Sequence, residues 1–87
     1  MDFEFDLSKS VANKKKHGID FKTAKALWQD DTRVELRTHF SGEERWMLVG
    51  KTNEKHWSAV FTYREDRMRL ISVRRSRKEE VVFYEGD

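Results

Sequence analysis

Between Arg67 and Lys78 the chain places six basic residues and no acidic one, with Leu70-Ile71-Ser72-Val73 threaded among them. A short apolar run with β-branched members reads as a core strand, so guanidinium groups ride on its flanks and at its end. Planar, permanently charged groups on a rigid element suit the fixed recognition of an anion. The remaining inventory narrows the chemistry. His17, His39 and His56 lie in three separate stretches, none with a second histidine three or four residues away, and cysteine is absent. Neither a metal site nor a thiol nucleophile is indicated, and no Gly-x-Ser-x-Gly elbow or phosphate-binding glycine loop is present. No cofactor and no metal are therefore expected. A site of Arg, Lys, His and Glu suits the cleavage of RNA, which carries its own nucleophile. A base takes the 2′-hydroxyl proton, cations stabilise the charge that builds on the phosphoryl oxygens, and an acid protonates the departing oxygen.

Strict alternation divides the basic strand. Positions 67, 69, 71, 73 and 75 share one face and 68, 70, 72 and 74 the other. Ile71 and Val73 are read as facing a helical layer, leaving Ser72 and Arg74 on the open side and Arg75 at the end, able to swing round the edge. Arg74 is the first choice for the charge stabiliser. A purely structural alternative pairs these arginines with Glu79, Glu80 or Glu85.

Eighty-seven residues make one small domain, here read as spanning 1–87. Charged residues are 39% of the chain, yet 18 Lys and Arg against 16 Asp and Glu leave a formal net charge of only +2. The signs are segregated: acids gather at Asp2–Asp6 and Glu79–Asp87, bases at Lys9–Lys25 and Arg64–Lys78. Two basic segments meeting in space would give an anion a strong local field despite the modest total. The N-terminus shows no basic segment followed by an apolar one, and no apolar run approaches membrane-spanning length. A soluble cytoplasmic protein is expected.

The elements that must position these groups follow from periodicity. Phe3 and Phe5 alternate with acids as in a short strand. Ser8 reads as a helix N-cap with Leu7 and Ala12 as a hydrophobic staple, and the helix ends at His17 before Gly18. Asp20 reads as the cap of a second helix, with Ile19 and Ala24 as staple and Phe21, Ala24, Leu27 and Trp28 as its apolar stripe. From Val34 the period becomes two. Strands are expected around Val34–Leu36, Arg45–Val49, Trp57–Tyr63 and Arg67–Arg75, with turns at Ser41-Gly42-Glu43, around Asn53 and at Glu65-Asp66. Such short connections require an antiparallel meander. A Ser76-x-x-Glu79 capping box opens a short C-terminal helix. The expected fold is α+β: two N-terminal helices packed on a twisted, mainly antiparallel sheet, with a short C-terminal helix.

The chain resembles the BrnT toxins, ribonucleases of type II toxin–antitoxin pairs with a RelE-like fold. The resemblance is carried by Phe3-Glu-Phe-Asp6 with Lys9 and Asn13, by Lys16-His17-Gly18-Ile-Asp-Phe21 with Ala24, by Glu44-Arg45 with Gly50, and by Tyr63-Arg64. Its most specific piece is Arg69-Leu-Ile-Ser72-Val-Arg74-Arg75, continuing to Glu80 and Tyr84. It departs from the family in having Ser76-Arg77 where small residues are usual after the arginine pair, and Val73 in place of alanine. The resemblance implies an endoribonuclease that inhibits translation by cutting RNA, its metal independence following from the inventory above, and a BrnA-like antitoxin through which the complex binds operator DNA. By position it implies a catalytic set on Lys16 or His17, with Arg64, Arg74 and Arg75, supported by Glu80 and Tyr84. Lys14, Lys15, Arg69 and Ser72 are the further RNA-binding candidates. Two other readings remain: a non-catalytic nucleic-acid-binding module with Trp57, Phe61 and Tyr63 as stacking platforms, and a structural protein that docks an acidic partner.

Overall fold

The computed structural model describes residues 2–40 and 43–86. A five-stranded sheet runs in the order β1-β5-β4-β3-β2. Its strands are β1 (Asp2–Glu4), β2 (Val34–Phe40), β3 (Glu43–Thr52), β4 (Lys55–Arg64) and β5 (Arg67–Arg75). Strands β2 to β5 form the expected antiparallel meander, and β1 pairs in parallel with residues 67–69 of β5. Asn53 and Glu54 both have positive φ, at 51° and 63°, as a two-residue turn matched to strand twist requires. The turn expected at Ser41-Gly42 lies outside the described residues.

Helix α1 (Leu7–His17) is capped by Asp6, whose carboxylate accepts from the Ser8 and Lys9 amides. The cap expected at Ser8 is thus two residues late. The Ser8 hydroxyl instead donates to Asp6 at 2.6 Å, and Leu7, 76% exposed, makes no staple. Gly18 closes the helix at φ 86°, a left-handed position that favours glycine. Asp20 caps α2 (Phe21–Ala24) by accepting from the Thr23 amide, as its sequence position indicates. This helix is one turn long and tightens into a 3₁₀ turn over Lys25–Gln29. Helix α3 (Lys78–Glu85) starts one residue later than expected: Arg77 is the N-cap, and Glu80 rather than Glu79 reaches back to its amide.

The core lies between one sheet face and α1, α2 and the 3₁₀ turn. Phe21, Ala24 and Leu27 meet Leu48, Ala59, Phe61, Met68, Leu70 and Val73 there. Trp28 packs against this core as expected, edge-on to Phe3 and Phe61. Gly50 lets the 3₁₀ turn approach: a Cβ there would stand 3.2 Å from the Leu27 carbonyl oxygen.

Helix α1 is held by polar groups. Its buried residues are Ser10 and Asn13. The Ser10 hydroxyl accepts from the Phe21 amide. Asn13 Nδ2 donates to the carbonyls of Ile19 and Val73, both at 2.8 Å, and its Oδ1 accepts from the Val73 amide. One side chain therefore stands in for a missing strand along the β5 edge beyond β1, and satisfies backbone groups that would otherwise be buried unpaired.

The face assignments of β5 differ from the alternation read from sequence, and the cause is a register shift. Phe61 pairs with Leu70 but Val60 pairs with Ser72, so Ile71 is an extra residue. Cross-strand partners share a face. Before the bulge, Met68 and Leu70 enter the core while Arg67 and Arg69 face away; after it, Val73 enters the core while Ser72 and Arg74 face away. Val73 is in the core, as its sequence position indicates. Ile71 is not, because unbroken alternation cannot bury residues 68, 70 and 73 together.

Candidate functional site

The sheet face turned away from the core carries the basic groups. Register sets them in rows. Val49, Ser58 and Arg74 form one row, Met47, Val60 and Ser72 the next, then Thr62 with Arg69, and finally Arg64 with Arg67. The expected site residues divide between the two ends of this face. Arg64 belongs to the far row, six residues along β4 from the Ser58–Arg74 row, roughly 20 Å at strand rise. It does not join Arg74 in a single clamp. Arg75 follows the opposite parity and lays its guanidinium over the Trp57 ring at 5.5 Å.

Helix α1 runs alongside β5, with Lys9 near Arg69 and Ile71 and Asn13 at Val73. That direction carries Lys14, Lys15, Lys16 and His17 on toward the Arg75 end. The three lysines are exposed and His17 is half-buried.

The foot of α3 fixes Arg74. Its two terminal nitrogens donate to the two oxygens of Glu80, each at 2.8 Å, and Nη1 also reaches the Arg75 carbonyl at 3.2 Å. Glu80 Oε1 accepts in addition from the Ser58 hydroxyl and the Arg77 amide, both at 2.8 Å. Ser58 in turn lies 2.8 Å from Ser76. The Arg74 hydrogen bond, with help from the Arg77 amide and Ser58, holds the Glu80 carboxyl down at about 2 against its burial. The same bond raises Arg74 above its usual value despite partial burial. Glu80 is thus a saturated anion that orients Arg74, and the pairing foreseen for these arginines as a structural alternative is realised for this one. Guanidinium has five N–H donors, and these bonds leave part of its edge for another acceptor.

Further along α3, the Tyr84 hydroxyl meets Asp30 at 2.7 Å and Thr32 at 2.6 Å. Burial works against the Asp30 charge, but hydrogen bonds from Tyr84, Thr32 and the Lys51 amide outweigh it and hold its carboxyl at about 2. His56 Nε2 lies 2.9 Å from Glu85. Three polar anchors therefore seat α3, which buries none of its residues fully. Sequence reasoning missed Ser58, Asp30 and Thr32 as partners of the arginine and tyrosine. A lone serine set among the apolar residues Trp57, Ala59, Val60 and Phe61 was the available signal.

The stacking-platform alternative loses support from burial at two of its three rings, since Trp57 is 8% and Phe61 0% exposed, and keeps only Tyr63, 41% exposed. Among the described residues no helix is long and apolar enough to cross a membrane.

Comparison with known proteins gives a family model described as ribonuclease toxin, BrnT, of type II toxin–antitoxin system, matching residues 5–80. Curated protein sequences yield no match. The matched span takes in α1, the whole meander and Glu80, leaving Tyr84 just beyond it. With the match running over nearly its full length, the chain belongs to the BrnT family of ribonuclease toxins, a class defined by an RNA target and a partner antitoxin.

Proposed function

We propose that this protein cuts RNA without a metal ion, by attack of the substrate's own 2′-hydroxyl, and thereby inhibits translation in the cytoplasm. The observation that carries this reading is the Arg74–Glu80 pair, which holds a permanently charged, partly exposed group in one orientation at the foot of α3. Preorganised charge of this kind stabilises the crowded oxygens of a pentacovalent phosphate without reorganising during the reaction. Arg75, Lys16 and His17 lie toward the same end and are assigned the remaining roles, His17 as base. Glu80 and Tyr84 position them through α3. Lys14, Lys15 and Ser72 line the approach of the RNA. The partner is a BrnA-like antitoxin that carries the complex to operator DNA, and the 1–87 domain is RelE-like.

The test is cleavage of RNA by purified protein in EDTA, with and without ribosomes. Arg74→Ala should lower the rate by about 10²–10³ while the domain remains folded. Cleavage by Arg74→Ala at the wild-type rate would overturn the assignment, and dependence on an added divalent cation would overturn the metal-free mechanism. A rate profile without an inflection between about pH 5 and 8 would remove His17 as the base.

A further inference from the structure

At the end of the open face away from Arg74 the sheet holds a second, separate basic feature. A pocket of about 190 Å³ is lined by Lys9, Arg45, Thr62, Arg64, Arg69 and Ile71. Four of these six residues are cationic and none is acidic. They come from α1, β3, β4 and β5, so the pocket exists only in the folded chain. Its floor is Thr62, 7% exposed, and Ile71, which the bulge keeps out of the core.

Some of this charge is answered locally. Arg69 donates to Glu4 at 2.6 Å, an interaction that lowers the Glu4 carboxyl, and Arg67 approaches the same carboxylate at 3.7 Å. Glu4 lies outside the lining but answers the charge of Arg69, and Lys9 and Arg64 are the exposed cations of the pocket. Like charges gathered over a partly apolar floor repel one another, and an anion seated among them relieves that repulsion.

We infer that this pocket is a subsite for a backbone phosphate of single-stranded RNA, distinct from the place where the strand is cut. The inference rests on the ribonuclease reading and deepens it. Thr62 and Ser58 are four residues apart on β4, roughly 13 Å at strand rise, a gap that a few nucleotides span. The row between them is Val60 with Ser72 and Met47, of which Ser72 and Met47 are partly exposed. The RNA would lie along β4 and β5, anchored by the pocket and presented to Arg74. Recognition is of phosphate, so this subsite contributes affinity and register, not base preference.

Lys9 and Arg64 are exposed, so Lys9→Gln with Arg64→Gln removes two pocket cations with little risk to the fold. Lys22→Gln with Lys55→Gln makes the same change in net charge elsewhere on the surface. Binding of a fluorescent single-stranded RNA is measured for both, in an Arg74→Lys background that suppresses cleavage, across a salt series. The pocket variant should bind at least tenfold more weakly, with the salt slope shallower by about 0.7 for each phosphate no longer neutralised. The control should keep most of its affinity. Equal affinities and slopes for the two variants would overturn the subsite while leaving the ribonuclease reading intact. Absence of both RNA binding and cleavage in the unmodified protein would overturn the two together.

Discussion

The guanidinium of Arg74 and the carboxylate of Glu80 meet edge to edge, with both nitrogen–oxygen distances at 2.8 Å. Their side chains are only 21% and 12% exposed, so this pair is shielded far more than a surface ion pair. It joins the end of the basic strand to the first turn of α3, and so couples the stability of that helix to the orientation of the proposed charge stabiliser.

That coupling has a pH signature. The Glu80 carboxyl is held at about 2, below its ordinary 4.5. A depressed carboxyl contributes stability above its unfolded value and loses it as pH falls through the folded one. Wild-type stability should therefore decline between about pH 4.5 and 2, by roughly 2–3 kcal/mol from this group after allowance for its partial exposure. Glu80→Gln should be less stable at pH 7 and show a flatter profile, the two proteins converging near pH 2. Chemical denaturation at several pH values measures both curves.

The bulge makes Ile71 and Val73 unequal. Val73→Ser opens the core at a fully buried site and should cost about 2–4 kcal/mol. Ile71→Ser alters a half-exposed residue on the open face and should cost less than about 1 kcal/mol. Deleting Ile71 would restore unbroken alternation with Val73 still in the core and Arg74 still on the outer face, so the domain should still fold. Denaturation midpoints and soluble yield decide between these outcomes.

Asn13 replaces strand pairing along an edge of β5. Its removal by Asn13→Ala leaves the Val73 amide and two carbonyls without their partner. The expected loss is about 2–4 kcal/mol, since buried unpaired groups bear the desolvation penalty. Asn13→Asp should be at least as damaging, because a carboxylate cannot donate to the Ile19 and Val73 carbonyls. A pair of equilibrium unfolding curves beside the wild type tests this.

Tyr84→Phe removes one hydroxyl from the Asp30–Thr32 anchor of α3. Asp30 keeps the Thr32 and Lys51 amides, so the domain should lose only about 1 kcal/mol. Amide exchange should quicken in α3 and leave β4 unchanged. Uniformly faster exchange throughout the domain would count against a local latch.

Sequence alone determined the meander, the C-terminal end of α1 at Gly18, the Asp20 cap and the basic character of β5. Each depends on neighbours a few residues apart: alternation, short turns, a left-handed glycine, a carboxylate three residues before an amide. It also placed Val73 in the core and Arg74 on the open side. What it missed depends on distant residues. The bulge at Ile71 arises because Met68, Leu70 and Val73 must all meet one helical layer. Asn13 is decisive because β1 stops at Glu4 and leaves the edge beyond it to be satisfied. Arg64 parts from Arg74 because an antiparallel hairpin puts the end of β4 beside the start of β5, at the opposite end of the face. Tertiary structure settled these points because register, edge pairing and proximity across strands are properties of the assembled sheet, on which local spacing is silent.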